Sequence, residues 1–177
     1  ELLLLRATLQ IRLGQAIEAV QSLDQIITAS GSKGTILLGK ALVTKSFATR
    51  VLGNLSAAVE NAENGIAVLR QSNASTKELS EAYRQLASAH GTRGELTEAR
   101  RNLEMALSLA PDGDLGLRSL IHDGLAVMYL ESGQLDVAAV HLEYAREGWL
   151  KLKNEGALAE TLNNLAIAYY WKGEFSI

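Results

Sequence analysis

A six-residue phrase written four times constrains this chain more than anything else in it. Gly14-Gln15-Ala16-Ile17-Glu18-Ala19, Gly53-Asn54-Leu55-Ser56-Ala57-Ala58, Gly94-Glu95-Leu96-Thr97-Glu98-Ala99 and Gly133-Gln134-Leu135-Asp136-Val137-Ala138 each place a glycine five residues ahead of an alanine. Gly173-Glu174-Phe175-Ser176-Ile177 begins a fifth copy. The differences between successive glycine numbers are 39, 41, 39 and 40. A fixed period near 40 indicates a helical solenoid, in which one supersecondary unit buries its apolar face only by stacking on the next.

A structural repeat must reproduce its packing residues as well as its turn, and here it does. Seven residues before each glycine stand the small residues Ala7, Ser46, Ala87, Ala126 and Ala166, and eleven before it Leu3, Leu42, Tyr83, His122 and Leu162. Five residues after it stand Ala19, Ala58, Ala99 and Ala138, and nine after it Leu23, Ala62, Leu103 and Leu142. Small residues at fixed places let two helices approach, and the large ones fill the space between them. The flanking segments are apolar at helical spacing, as in Leu79, Tyr83, Leu86, Ala87 and His90, or Leu96, Ala99, Leu103, Ala106 and Leu107. Each repeat therefore reads as two antiparallel helices around a glycine turn. The boundaries between repeats are rich in turn residues, at 30–34, 71–75, 111–114 and 153–156, and Ser75-x-x-Glu78 has capping-box spacing. The resulting division is a single solenoid over 1–177 with repeats at 1–32, 33–73, 74–112 and 113–154 and a partial one at 155–177. Because the chain starts within a helical pattern and stops within a repeat, it is expected to be a piece of a longer protein.

Composition agrees and excludes other classes. One proline among 177 residues and 47% hydrophobic content favour a helical fold with a substantial core. A net charge of −3 argues against direct nucleic-acid contact, which needs clustered Lys and Arg. No stretch approaches the roughly 20 apolar residues of a membrane span. The absence of cysteine removes disulfides, thiolate metal sites and thiol nucleophiles, and fits a cytoplasmic setting.

These residues resemble the tetratricopeptide repeat. The third repeat matches that pattern at Tyr83, Leu86, Ala87, Gly94, Ala99, Leu103, Ala106 and Pro111, and the next two follow with Leu125, Ala126, Tyr129, Gly133 and Ala138, then Leu165, Ala166, Tyr169 and Gly173. The resemblance implies an all-α, right-handed superhelix of antiparallel helix pairs. Departures concentrate early, where Arg6 and Lys45 replace Leu, Gln10 and Thr49 replace an aromatic, and Gly65 replaces a small helix former. The long period is similar to that of the sensor regions of large bacterial transcriptional activators of the maltose-regulator type. It is also similar to bacterial response-regulator phosphatases, kinesin light chains and mitotic-spindle adaptors.

No catalytic constellation stands out, and no metal or cofactor is expected. His90 and His122 occupy recurrent core positions, His141 has no partner at ligand spacing, and His122-Asp123 alone is too short to signal a metallohydrolase. Gly31-Ser32-Lys33-Gly34-Thr35 lacks the spacing of a phosphate loop. The resemblance instead implies a protein- or peptide-binding groove, open also to a small effector, on the concave face lined by the first helix of each pair. Counted back from each glycine, the expected contact residues are Phe47, Arg50, Arg84, Ser88, Asp123, Val127, Asn163, Ile167 and Tyr170. Two readings stay open: a recognition surface, or packing residues between repeats with Arg84 paired to Asp123. Tyr169-Tyr170-Trp171 would leave apolar surface on a last, unaccompanied helix, so a homodimer through the C-terminal end is expected.

Overall fold

The computed structural model describes residues 1–31 and 34–173. The Ser32-Lys33 part of the first inter-repeat loop and the last four residues of the fifth phrase lie outside the described residues. Among the described residues there are nine α-helices and no strand: α1 (Leu2–Arg12), α2 (Ala16–Ser30), α3 (Ile36–Val51), α4 (Leu55–Gln71), α5 (Thr76–Thr92), α6 (Leu96–Leu109), α7 (Leu115–Glu131), α8 (Leu135–Leu152) and α9 (Glu155–Lys172). None of them is long and apolar enough to cross a membrane.

The repeated glycine has the same task each time. Gly14, Gly53, Gly94, Gly133 and Gly173 all have φ between 73° and 79°, the left-handed region where a Cβ is disfavoured. After the first four of them, the next residue's N–H reaches back to a carbonyl five positions earlier, as in Gln134 N–H to the Tyr129 carbonyl at 2.9 Å and Glu95 N–H to the His90 carbonyl at 3.0 Å. That bond satisfies one of the last carbonyls of the preceding helix while the chain reverses. Helix starts are capped by side chains at Thr35, Asn54, Asp114 and Asn154, and the Ser75–Glu78 capping box is complete. The last boundary is shorter than expected, because Asn154 caps α9 and Glu155 and Gly156 are already helical.

Packing follows the recurrent positions. Ala19, Ala58, Ala99 and Ala138 are all completely buried, as are Leu23, Ala62 and Leu142. Burying one such leucine contributes about 2 kcal/mol, and the alanines set how closely the helices can lie. Ala166 departs from its fully buried counterparts and is exposed, since α9 packs only on α7 and α8. The core is divided into successive clusters along the axis, as a quasi-one-dimensional stack requires. Each odd helix from α1 to α7 touches the next odd one, whereas no two even helices touch. The odd helices thus lie on the tighter, inner side of the curve and form a continuous surface.

The early departures from the repeat pattern have physical counterparts. Lys45 reaches Asp24 at 2.6 Å, and buried Gln10 accepts a hydrogen bond from Ser22 at 3.0 Å, so polar pairs between neighbouring helices stand where apolar contacts were expected. Thr49 donates to the Lys45 carbonyl of its own helix. Gly65 marks a close crossing: a Cβ there would lie 2.7 Å from Val43 Cγ2 and 3.0 Å from the Gly39 carbonyl oxygen. The first two repeats are therefore regular in fold, with a tighter α3–α4 contact than a side chain would allow.

Candidate functional site

Among the clefts on the surface made by the odd helices, two adjoin at Arg84 and Leu120. One, of about 360 Å³, is bordered by Thr8 of α1, Val43 and Phe47 of α3, Glu81 and Arg84 of α5, and Leu117 and Leu120 of α7. The other, of about 350 Å³, is bordered by Arg50 of α3, Arg84 and Ser88 of α5, and Leu120, Val127 and Glu131 of α7, with Leu103 of α6 behind them. Arg84 and Leu120 belong to both, so they form the wall between the clefts.

Helical periodicity explains the assembly. Arg84 and Ser88 are four residues apart and share a face of α5, while Tyr83, Leu86 and Ala87 carry the buried faces. Phe47 and Arg50 share a face of α3 by the same rule, and the Arg50 guanidinium lies 5.2 Å from the centre of the Phe47 ring. Lys40 and Lys77, on the same surface, are neutralised by Glu78 at 2.5 Å and Asp114 at 2.8 Å. Arg50 and Arg84 differ: the Nε of each is shielded from solvent and has no hydrogen-bond acceptor. Burial pushes both guanidinium groups below their ordinary pKa. At Arg84 the neighbouring Glu81 opposes that shift and the Arg50 charge adds to it.

Of the expected contact residues, Phe47 and Arg84 border the first cleft and Arg50, Arg84, Ser88 and Val127 the second. Ala87, Met128 and Gly124 also line the second cleft; nothing in the groove count points to them, because they are floor and wall residues of the α5–α7 contact. Asp123 has another role. Its carboxylate accepts from Trp149 Nε1 at 2.7 Å and from Thr161 Oγ1 at 2.8 Å, tying α7 to α8 and α9. The Arg84–Asp123 pair expected from a packing arrangement is therefore not formed: both Asp123 oxygens are engaged elsewhere. Burial raises the Asp123 pKa, with the two hydrogen bonds opposing. Asn163, Ile167 and Tyr170 line neither cleft; Asn163 is exposed, Ile167 half-buried and Tyr170 exposed. Leu130, further along α7, is buried against Ala126, Ala138 and Leu142.

The histidines are packed as expected, but not as isolated groups. His122 Nδ1 and His141 Nδ1 lie 2.9 Å apart, and the stack continues to Tyr144 on one side and Tyr129 on the other. Residues 19 apart meet here only because α7 and α8 are antiparallel. Burial, joined by the charges of His141 and Arg118, lowers the His122 pKa to about 4. His90 bonds to Glu95 at 2.6 Å across the Gly94 turn, a polar staple rather than apolar packing. Among the described residues no three His, Cys, Asp or Glu side chains are grouped as metal ligands.

The fold is that of tetratricopeptide-like solenoids. A putative kinesin light chain with nearly identical TPR-like repeats from Podosopora anserina superposes with a TM-score of 0.73 at 20% identity, covering 98% of this chain and 86% of that one. BtubC (BKLC) from P. vanneervenii gives 0.81 at 19% identity, covering 96% and 71%. The Cut9–Hcn1 hetero-tetramer of the APC/C gives 0.71 at 16% identity, with 90% of this chain against 29% of that one. No family model and no curated protein matches the chain.

Proposed function

We propose that this chain is a non-catalytic binding module that takes up an extended segment of a partner protein along the surface of α1, α3, α5 and α7. The observation that carries this reading is the pair of adjoining clefts, which combine apolar walls at Phe47, Leu120 and Val127 with the cations Arg50 and Arg84. A peptide running across the odd helices would meet both clefts in turn, and Asn163, Ile167 and Tyr170 would extend the track onto α9. The likeness to Cut9, which is found in a hetero-tetramer with Hcn1, supports a protein partner. In this reading the chain is the sensor or interaction region of a bacterial transcriptional regulator, and binding shifts solenoid curvature or assembly to act on other domains. A passive scaffold is the alternative; a parent chain carrying a helix-turn-helix or nucleotide-binding sequence would favour the regulator. Exposed Leu162, Tyr170 and Trp171 support self-association through α9, and a strictly monomeric species in light scattering at high concentration would count against it.

Selection of a randomised peptide library on the chain, followed by methyl NMR of the recovered binders, tests the groove. Shifts are expected at Leu120, Val127 and Met128. Binders that perturb only the even helices would remove the groove from consideration.

A further inference from the structure

Two lysines in the groove are neutralised by the fold and two arginines are not. Lys40 and Lys77 have Glu78 and Asp114, whereas Arg50 and Arg84 carry solvent-shielded Nε–H groups with no acceptor. A buried donor without an acceptor costs on the order of 1–3 kcal/mol, and more when it is charged. Burial disfavours the charge on Arg84, with Glu81 opposing that effect and the Arg50 charge adding a smaller part to it. The shielded Nε–H groups are unsatisfied in the empty protein and would be satisfied by an anion placed against both. We propose that Arg50 and Arg84 are a receptor for one carboxylate of an acidic residue in the bound peptide, an inference that rests on the groove being a peptide site.

The surroundings select the kind of anion. Leu103, Leu120, Val127 and Met128 give the cleft an apolar floor and wall, which the aliphatic neighbours of a peptide carboxylate would cover. A free phosphate would meet the same two guanidinium groups but brings no aliphatic neighbours to cover those side chains. Glu131 at the rim adds a negative charge, tolerable beside a monoanion and repulsive toward a dianion. The planar guanidinium fork matches a carboxylate through two parallel N–H···O bonds, which gives the geometry as well as the charge. Arg50 is steadied by the Phe47 ring, so one half of the receptor is held ready before binding.

Peptides selected on the chain from a library with free C-termini are resynthesised with Glu→Gln or Asp→Asn replacements and, separately, with an amidated C-terminus. Their affinities are measured on the wild-type protein, on Arg84→Gln and on Arg50→Gln, with potassium phosphate as a competitor and circular dichroism as the check of fold. The expected result is a loss of at least about tenfold on removing one particular carboxylate and a similar loss on either arginine variant, with no competition by phosphate. Sensitivity to a Glu or Asp replacement upholds the proposal, whereas sensitivity to amidation alone would assign the carboxylate to the C-terminus and overturn the assignment to an acidic side chain. Should Arg84→Gln fail to fold, Arg50→Gln carries the same comparison. Binders that occupy the groove but are indifferent to every carboxylate and to both arginines overturn the receptor while leaving the groove reading intact. Competition by phosphate equal to that of the peptide overturns the commitment to a carboxylate. Recovery of no groove binder at all removes both readings.

Discussion

Lowering the pH from about 7.5 to about 5 should weaken the fold by about 2 kcal/mol through His122 alone. The His122 pKa falls from 6.5 to about 4 on folding, because the ring is buried in the α7–α8 stack and faces His141 and Arg118. In the unfolded chain the same imidazole takes up its proton near 6.5. The stabilisation is therefore complete above about pH 6.5, falls by about 1.4 kcal/mol per pH unit below it, and levels off below about 4. At pH 5 the unfolded form is nearly all protonated at this site and the folded form nearly all neutral, which yields about 2 kcal/mol. His141 is shifted in the same direction by burial, against the opposing charge of Glu104, so it adds to the loss. Urea unfolding followed by far-ultraviolet circular dichroism at the two pH values measures the effect. Replacing His122 with Phe keeps a ring against Tyr144 and removes the titrating group, so the difference between the proteins isolates it from the carboxylates. A pH dependence of stability identical in wild type and His122→Phe would refute the reasoning.

Three further outcomes follow from particular contacts. Asp123→Ala should cost about 1–3 kcal/mol, since it leaves the buried Trp149 indole N–H without its acceptor while the Thr161 hydroxyl keeps the Ala157 carbonyl; chemical denaturation measures it, and near-ultraviolet dichroism should report the freed Trp149. Gly65→Ala should destabilise by about 1–3 kcal/mol although alanine favours a helix by about 1, because the new Cβ would press on Val43 and on the Gly39 backbone, which cannot move aside as a side chain end could; a raised melting temperature would refute the close crossing. Arg84→Met should melt at or above the wild-type temperature, because it keeps the aliphatic stem and removes a largely buried charge whose Nε–H has no acceptor. A clear drop in melting temperature there would make Arg84 a packing residue.

The fold was legible because a solenoid repeats a local solution. Positive φ at Gly94 and Gly133, and close approach at Ala99 and Ala138, are requirements of the turn and the helix pair that follows it, so spacing along the chain reports them directly. The lining of the clefts was legible in part for the same reason: Arg84 and Ser88 share a helix face, and counting from Gly94 finds both of them bordering the second cleft. Counting failed at Asp123, which stands as far before Gly133 as Arg84 stands before Gly94. Which way that side chain is engaged depends on Trp149 and Thr161, contributed by other helices.

The sequence by itself determined the helix pairs, their turns and their order, since each is set by contacts within about forty residues that the repeat writes again and again. Only the tertiary structure decided the charges. It paired Lys40 with Glu78 and Lys77 with Asp114, brought His122 to His141, and left the Nε–H groups of Arg50 and Arg84, on one cleft, without an acceptor. Periodicity states which face a residue occupies, but the protonation and pairing of a charged group depend on everything within a few ångströms of it, and those neighbours come from different repeats.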